Sequence, residues 1–241
     1  MRLVFLILST FFSIAYANSA GVFSAYRVSE SVAARYRILS LPSIKTNQFS
    51  FADDSGVTVL KINSNQSASS VALPLTSAAG ANALLTWRWK VSSTVLNANI
   101  SQKDKDDFAA RVYVFFDVPL ASLGFIERNK IRLARLMSGA DVPTAAICYV
   151  WDNQSAIDTI APSAYTNRVR MIVLQSGDKK VNTWVSQSRD VAADFKRAFG
   201  HAAPAITGVA VGSDTDQTGA SITTWFGDVR FDVTLTQPPT P

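Results

Sequence analysis

Short segments of alternating apolar and polar residues most constrain the fold of this 241-residue chain. Eight of them are rich in β-branched and aromatic residues and have the period of two that is typical of half-buried β-strands. Turn-forming clusters separate them, and no helices alternate with them. The sequence therefore predicts an all-β fold, an antiparallel β-sandwich of jelly-roll type. The predicted strands are residues 56–63, 68–75, 84–91, 109–117, 145–151, 168–176, 206–213 and 223–233.

Two segments have helical instead of strand periodicity. Residues 120–137 combine apolar residues at helical spacing with four Arg and Lys side chains. They predict a helix that packs across one end of the sandwich, with a basic amphipathic helix on an anionic membrane surface as the alternative. Residues 189–199 predict a second helix, with Asp190 near its start and Gly200 at its end. We therefore expect one or two short packed helices.

The N-terminus, residues 1–17, has the pattern of a secretory signal peptide. Arg2 precedes an apolar run, and residues 15–17 supply the small-x-small cleavage pattern. The run is shorter than the roughly 20 residues needed to span a bilayer. The sequence thus predicts a periplasmic or secreted protein without a transmembrane segment. We expect a single β-sandwich domain at 18–235 and a disordered tail at 236–241.

The composition argues against several kinds of functional site. With one histidine and one cysteine, the chain lacks the residues for a histidine-dependent nucleophilic triad or for an ordinary zinc site. Glu30 and Glu127 are its only glutamates, so glycosidase chemistry would depend on aspartates. The net charge of +5 is spread along the chain, and no nucleic-acid recognition motif accompanies it. We therefore expect no nucleic-acid partner.

Three predicted strands have one apolar face and one face that mixes aromatic and charged side chains. In 223–233 the alternation places Phe226 with Asp228 and opposite Trp225. Aromatic rings stack on sugars, and charged groups bind sugar hydroxyls. We therefore predict one concave saccharide-binding surface, with a buried layer of ion pairs between the sheet and the helices as the alternative. Its predicted ligand-binding residues are Arg88, Asp107, Arg111, Tyr113, Asp228 and Arg230.

The first of two aspartate-rich loops precedes the strand that carries Arg111. Asp104, Asp106 and Asp107 in this loop supply the groups of an acid–base pair, or oxygen ligands for calcium. Lysines at positions 103 and 105 alternate with the acids, so a solvated, charge-balanced loop is the simpler interpretation.

The second aspartate-rich loop is a turn at residues 214–219. Asp214 and Asp216 match the first and third positions of an EF-hand calcium loop, but Trp225 stands where that loop needs a bidentate glutamate. Two interpretations stay open. Either each aspartate accepts hydrogen bonds from its own backbone in an Asx-turn, or Asp214 and Asp216 belong to a structural calcium site completed by another loop.

Five motifs occur in the order TWRWKV, KDDFAARVYVFFD, ICYVW, SRDVAADFKRAFG and GVAVGSDTDQTGASITTWFGDVRF. With them the chain resembles a family of bacterial exported proteins, domain of unknown function 3047, over residues 33–233. The resemblance implies a bacterial, exported, single-domain protein, similar in its pattern of short strands to galactose-binding-like jelly rolls. It implies no catalytic residues, because the family has no established activity.

These observations predict an exported, non-catalytic β-sandwich protein that binds an envelope or extracellular saccharide. One alternative is a polysaccharide lyase or hydrolase that uses Asp104, Asp106 or Asp107 with Arg111. The other is a structural envelope protein that binds other proteins. No cofactor is expected apart from the calcium ion considered at the 214–219 turn.

Overall fold

The computed structural model describes residues 17–75, 83–119, 121, 124 and 144–233. Within these ranges it contains 14 β-strands, one α-helix and three short 3-10 helices. The strands are β1 Ala17–Gly21, β2 Arg37–Ser40, β3 Gln48–Asp54, β4 Val57–Asn65, β5 Ala68–Leu73, β6 Ala83–Val91, β7 Phe108–Phe116, β8 Ala145–Asp152, β9 Ile160–Ser163, β10 Thr166–Ser176, β11 Val185–Asp190, β12 Ile206–Asp214, β13 Ser221–Phe226 and β14 Val229–Val233. The α-helix, α1, is Val191–Phe199, and the 3-10 helices are Phe23–Ala25, Val32–Ala34 and Lys103–Lys105.

The strands form two seven-stranded sheets. In sheet A, β11 pairs with one edge of β6, and the consecutive strands β13 and β14 pair along the other edge. β4 and β3 continue the sheet from β13, and β1 continues it from β14. Sheet B has the order β2-β5-β12-β7-β8-β10-β9. All pairs are antiparallel except β8 with β10, which is parallel.

The hydrophobic core lies between the two sheets. Alternate residues of β6, among them Trp87 and Trp89, are buried, and alternate residues of β7 from Ala110 to Phe116 face them. Trp89 of sheet A contacts Trp151 of sheet B, with ring centroids 5.9 Å apart. The predicted all-β sandwich of jelly-roll type is therefore confirmed, and the one parallel pair is the exception to its antiparallel pairing.

A β-bulge separates β13 from β14 and corrects one predicted face. Phe226 pairs with Trp89, and Arg230 pairs with Thr86. Three residues therefore separate these pairs on the β13–β14 side, whereas two separate them on β6. The extra residue reverses the alternation. Phe226 is consequently buried on the inner face, whereas Trp225 lies on the outer face. The prediction that Phe226 shares a face with Asp228 and opposes Trp225 was wrong.

Helix α1 confirms the second predicted helix. The Asp190 carboxylate accepts a hydrogen bond from the Ala193 amide at 2.9 Å, which caps the N-terminus. Gly200 ends the helix with a φ of 83°, a conformation that glycine adopts without steric cost. The Phe195 ring packs on Phe116 of sheet B at a centroid distance of 4.5 Å, so the helix closes one margin of the core.

Three predicted features fall outside the described residues. They are the signal peptide apart from its last residue, the tail, and the basic helix at 120–137 apart from residues 121 and 124. In the part of the chain that the structure describes, no helix combines the length and apolar character required to cross a membrane.

Candidate functional site

The six residues predicted to bind a ligand lie in two groups on two different sheets. Arg88, Asp228 and Arg230 belong to sheet A, whereas Asp107, Arg111 and Tyr113 lie on or beside β7 of sheet B. The two sheets face each other across the core, so their outer faces point in opposite directions. The expectation that these residues line one concave surface was therefore wrong. Their individual roles in binding stay predictions.

Two residues of the first group, Arg88 and Asp228, border a cavity of about 500 Å³ on the outer face of sheet A, which we call the sheet A cleft. Arg88 and Thr86 line it from β6, Ser186 and Gln187 from β11, and Asp228 from the bulge. The Gln187 side-chain nitrogen is buried and has no hydrogen-bond partner in the described structure. This nitrogen is not exposed to the cleft, which offers the hydroxyl and charged groups of its other lining residues.

Asp228 is held firmly at the margin of the cleft. Its carboxylate accepts hydrogen bonds from the Ser24 amide at 2.9 Å and the Ser24 hydroxyl at 2.6 Å. The Arg230 guanidinium forms an ion pair with it at 2.8 Å. The β-bulge places Asp228 here because it turns this residue out of the inner face. A positioned carboxylate of this kind accepts hydrogen bonds from ligand hydroxyls.

Next to the cleft, two tryptophans and two cations form what we call the tryptophan platform: Trp184, Trp225, Arg88 and Lys90. The Arg88 guanidinium lies 4.3 Å from the centroid of the Trp184 ring. The Lys90 ammonium lies 4.8 Å from Trp184 and 4.9 Å from Trp225. These are cation–π contacts, and they fix the orientation of half-buried aromatic rings on the outer face of the sheet.

Asp54 at the end of β3 holds the platform together. Its carboxylate accepts a hydrogen bond from the Trp184 indole at 2.6 Å and another from Lys90 at 3.1 Å. Partial burial raises the pKa of Asp54, but the hydrogen bonds from Lys90 and Trp184 outweigh it and keep the pKa below its usual value. Asp54 is therefore an ionised group that orients its neighbours.

The second group lies at what we call the acidic cluster, beside β7 and the β12–β13 turn. The cluster consists of Asp106, Asp107, Asp214, Asp216 and the neutral Gln217. Arg111 forms an ion pair with Asp214 at 2.6 Å. It also donates hydrogen bonds to the Asp106 carbonyl and, at 2.8 Å, to the Tyr113 hydroxyl. Arg111 and Asp214 are both buried. Arg111 and Asp214 thus form one buried ion pair on sheet B.

Asp107, in the first aspartate-rich loop, is hydrogen-bonded to the 214–219 turn. It accepts hydrogen bonds from the Gln217 amide at 3.3 Å and from the Thr218 amide and hydroxyl at 2.7 and 2.6 Å. Among the described hydrogen bonds, Asp214 and Asp216 accept none from the backbone of the turn. The Asx-turn interpretation was therefore wrong. The two predicted aspartate-rich loops instead form one cluster.

The acidic cluster has the oxygen atoms that a hard cation needs. Asp107, Asp214 and Asp216 each offer a carboxylate oxygen, and these atoms lie within 4.8 Å of one another. Burial, together with the charges of Asp107 and Asp216, raises the pKa of Asp106 to about 6, although Arg111 acts in the opposite direction. Burial likewise raises the pKa of Asp214 well above its usual value. Burial thus disfavours the ionised form of both carboxyl groups, and Arg111 only partly offsets this effect.

Sequence reasoning missed Trp184, Lys90 and Asp54 as members of a site. Trp184 directly precedes β11, a strand that was not predicted, so nothing placed this residue beside β6. The outward position of Lys90 was visible in the alternation of β6. Asp54 looked like part of a simple turn, because it ends β3 at the β3–β4 hairpin.

The fold and the outer-face cleft define a jelly-roll β-sandwich with a candidate ligand-binding face. A family described as "Protein of unknown function (DUF3047)" matches residues 34–230, and this chain belongs to that family. No curated protein has a significantly similar sequence.

Several solved structures have a similar fold at low identity. Endoglucanase 3 of family GH12 from Trichoderma harzianum is 7% identical, with 83% of this chain and 99% of that chain covered and a TM-score of 0.42. The family 30 carbohydrate-binding module of a Clostridium thermocellum cellulosomal cellulase is 11% identical, covering 92% and 94%, with a TM-score of 0.39. The glycoside hydrolase domain of Endo-D from Streptococcus pneumoniae R6 is 11% identical over 85% of this chain, with a TM-score of 0.38. This chain spans only 22% of that pneumococcal chain.

Proposed function

We propose that this protein is exported and binds a saccharide, without catalysis, through the sheet A cleft and the tryptophan platform. The observation that carries the proposal is the position of Trp184 and Trp225. These oriented, half-buried indoles lie on an outer sheet face, beside a cavity of about 500 Å³ lined by polar groups. Aromatic surface combined with a few placed polar groups is typical of sites for small ligands.

The chemistry of this face favours an acidic saccharide. An indole ring offers apolar surface for the C–H face of a sugar. Asp228 offers an acceptor for sugar hydroxyls, and Ser186 offers an exposed hydroxyl. Arg88 lies 4.0 Å from Asp54 and its side chain is 35% exposed, so it is only loosely paired. A partly free guanidinium at the margin of a cleft attracts the carboxylate of a uronic acid.

The contacts of the other aspartates support binding over the alternative of a polysaccharide-active enzyme. That enzyme would use Asp104, Asp106 or Asp107 with Arg111. Arg111 is buried and bound to Asp214, and Asp107 is occupied by the 214–219 turn. The carboxylates of a glycosidase act as a pair about 5–10 Å apart across the sugar. Asp106 and Asp107 lie beside sheet B, whereas Asp228 belongs to sheet A.

Export has its own test. Strand β1 begins at Ala17, the residue after which cleavage is expected, and pairs with β14. We expect the protein isolated from its own envelope or medium to begin at Asn18, because the small-x-small pattern of residues 15–17 fits signal peptidase. N-terminal sequencing measures this directly. An intact Met1 on protein from the soluble cell interior would contradict export.

Saccharide binding is tested by screening the mature protein on an array of neutral and uronic-acid glycans, followed by titration calorimetry with the best ligand. We expect Trp184→Ala to weaken binding about 5- to 12-fold, because loss of an aromatic contact costs on the order of 1–1.5 kcal/mol. Tyr165→Ala is the matched control, since Tyr165 is an exposed aromatic residue of the β9–β10 hairpin in sheet B. It should bind like the parent protein.

Gly227→Ala gives a second, indirect variant. A Cβ at this position would lie 2.5 Å from Cγ and 2.6 Å from Nε of Arg88, so Arg88 must leave its place over Trp184. We expect weaker binding of acidic glycans with both tryptophans intact. Failure of the parent protein to bind any glycan, or unchanged binding by Trp184→Ala, would refute the proposal.

A further inference from the structure

We infer that the acidic cluster binds one calcium ion, through Asp107, Asp214, Asp216 and Gln217, with Asp106 beside it. The site lies beside β7 and β12 of sheet B, apart from the sheet A cleft. The inference does not rest on saccharide binding. It concerns the ion that the two aspartate-rich loops hold between them.

The spacing of the carboxylates fits one calcium ion. Oxygen ligands of calcium lie 2.3–2.6 Å from the ion, so two ligands of the same ion lie no more than about 5 Å apart. The offered oxygens of Asp107, Asp214 and Asp216 all lie within 4.8 Å of one another. Hydrogen bonds between Asp107 and Thr218 join the two loops and so fix this spacing without help from a metal.

Several buried side-chain oxygens of the two aspartate-rich loops have no hydrogen-bond partner in the described structure. Asp106, Asp214 and Asp216 each have a buried Oδ1 without a hydrogen-bond partner, and the Gln217 side-chain oxygen is also buried and unpartnered. Asp214 is only 8% exposed and Asp106 only 5%. These atoms are all acceptors when the acids are ionised, so they cannot satisfy one another. A cation satisfies several of them at once.

The concentration of carboxyl groups in the acidic cluster also favours a bound cation. The cluster brings four carboxyl groups together, whereas Arg111 is the basic group paired with Asp214 at 2.6 Å. Asp214 and Asp216 each place a carboxylate oxygen within 4.8 Å of the other. A divalent ion between these groups converts mutual repulsion into attraction.

The donor set favours calcium over other metals. Every available ligand atom is an oxygen, which suits hard cations and not zinc or copper. Magnesium keeps several waters and binds through one or two carboxylates, whereas calcium accepts six to eight oxygens in flexible geometry. Three carboxylates and a side-chain amide in a largely buried cluster match calcium.

The test uses the mature protein, stripped with EGTA and dialysed. Calorimetric titration with CaCl₂ should give one site per chain with a Kd below about 1 mM, the range of extracellular calcium modules. At calcium about 100 times the Kd, Tm measured by circular dichroism should rise by about 5–10 °C, and equal MgCl₂ should raise it less. Absence of calcium binding would overturn the inference. It would show that the aspartates are satisfied by sharing protons and not by binding an ion.

Two variants separate ion binding from folding. Asp216→Asn should weaken calcium binding at least about tenfold and also raise the Tm of the calcium-free protein, because it removes a repelling charge. Gln217→Ala should weaken binding without a change of charge. Asp104→Asn, an exposed carboxylate of the same loop, is the control and should bind calcium normally. Unchanged calcium affinity in Asp216→Asn would contradict the site. Glycan binding is measured separately on the opposite sheet, so either proposal can fail alone.

Discussion

Replacing Asp194 by alanine should lower the free energy of unfolding by about 3 kcal/mol, the low end for breaking a buried ion pair. Asp194 is 2% exposed and accepts hydrogen bonds from the Tyr149 hydroxyl at 2.9 Å and from Arg189 at 2.8 and 2.6 Å. Truncation leaves both donors without their acceptor in a largely buried place. Urea unfolding followed by circular dichroism measures the loss, which corresponds to a fall in Tm of about 6–12 °C for a domain of this size.

Arg197→Ala is the matched control for this prediction. Arg197 reaches the same carboxylate at 3.2 Å, but its side chain is 46% exposed. An ion pair within one helix whose basic partner is exposed contributes under about 1 kcal/mol. The free energy of unfolding of Arg197→Ala should therefore stay close to that of the parent protein. If both variants lost the same free energy of unfolding, the contacts of Asp194 with Tyr149 and Arg189 would not be what anchors the helix.

Asp194 matters because it joins three parts of the sandwich. It lies on α1, Arg189 belongs to β11 of sheet A, and Tyr149 belongs to β8 of sheet B. The sequence predicted this helix from its periodicity and its caps. It did not predict the anchor, because Tyr149 is 45 residues away and only the paired sheets bring it close.

The strands that the sequence predicted are those with strong apolar alternation, such as β6, β7 and β12. The strands that it missed, β1, β2, β3, β9 and β11, are short or rich in small polar residues. β11 shows the reason: VSQSRD has little apolar contrast, yet all six of its residues pair with β6. Its strand conformation depends on a partner that is distant in sequence, and local propensity does not encode such a partner.

The candidate sites show the same division between local and distant information. Both aspartate-rich loops were visible in the sequence, and a calcium site completed by another loop was one interpretation of the second. The partner loop was not predictable, because Asp107 meets Thr218 only through the pairing of β7 with β12. On sheet A, one extra residue at the bulge reversed the face of Phe226, an effect that simple alternation cannot anticipate.

Gly212→Ala should destabilise the protein by about 2–3 kcal/mol, because the new Cβ has no space. Gly212 lies in β12 between β5 and β7. A Cβ there would lie 2.7 Å from the backbone carbonyl oxygen of Ser69, and closer still to the Ser70 hydroxyl. The hydroxyl can rotate away, but the carbonyl belongs to the paired strand and can move only if the two strands separate. Overpacking of this kind costs about 1–3 kcal/mol.

Gly208→Ala, four residues earlier in β12, isolates the steric cause. Its Cβ would meet only the Phe115 ring, at 3.4 Å, which is ordinary van der Waals contact. Replacing glycine within a strand also reduces the entropy of the unfolded chain, so this variant should be neutral or more stable by up to about 1 kcal/mol. Urea unfolding of both variants measures the difference. If Gly212→Ala proved as stable as Gly208→Ala, the close approach of β5 to β12 at this position would be wrong, and with it the strand pairing that positions Asp214 for the acidic cluster.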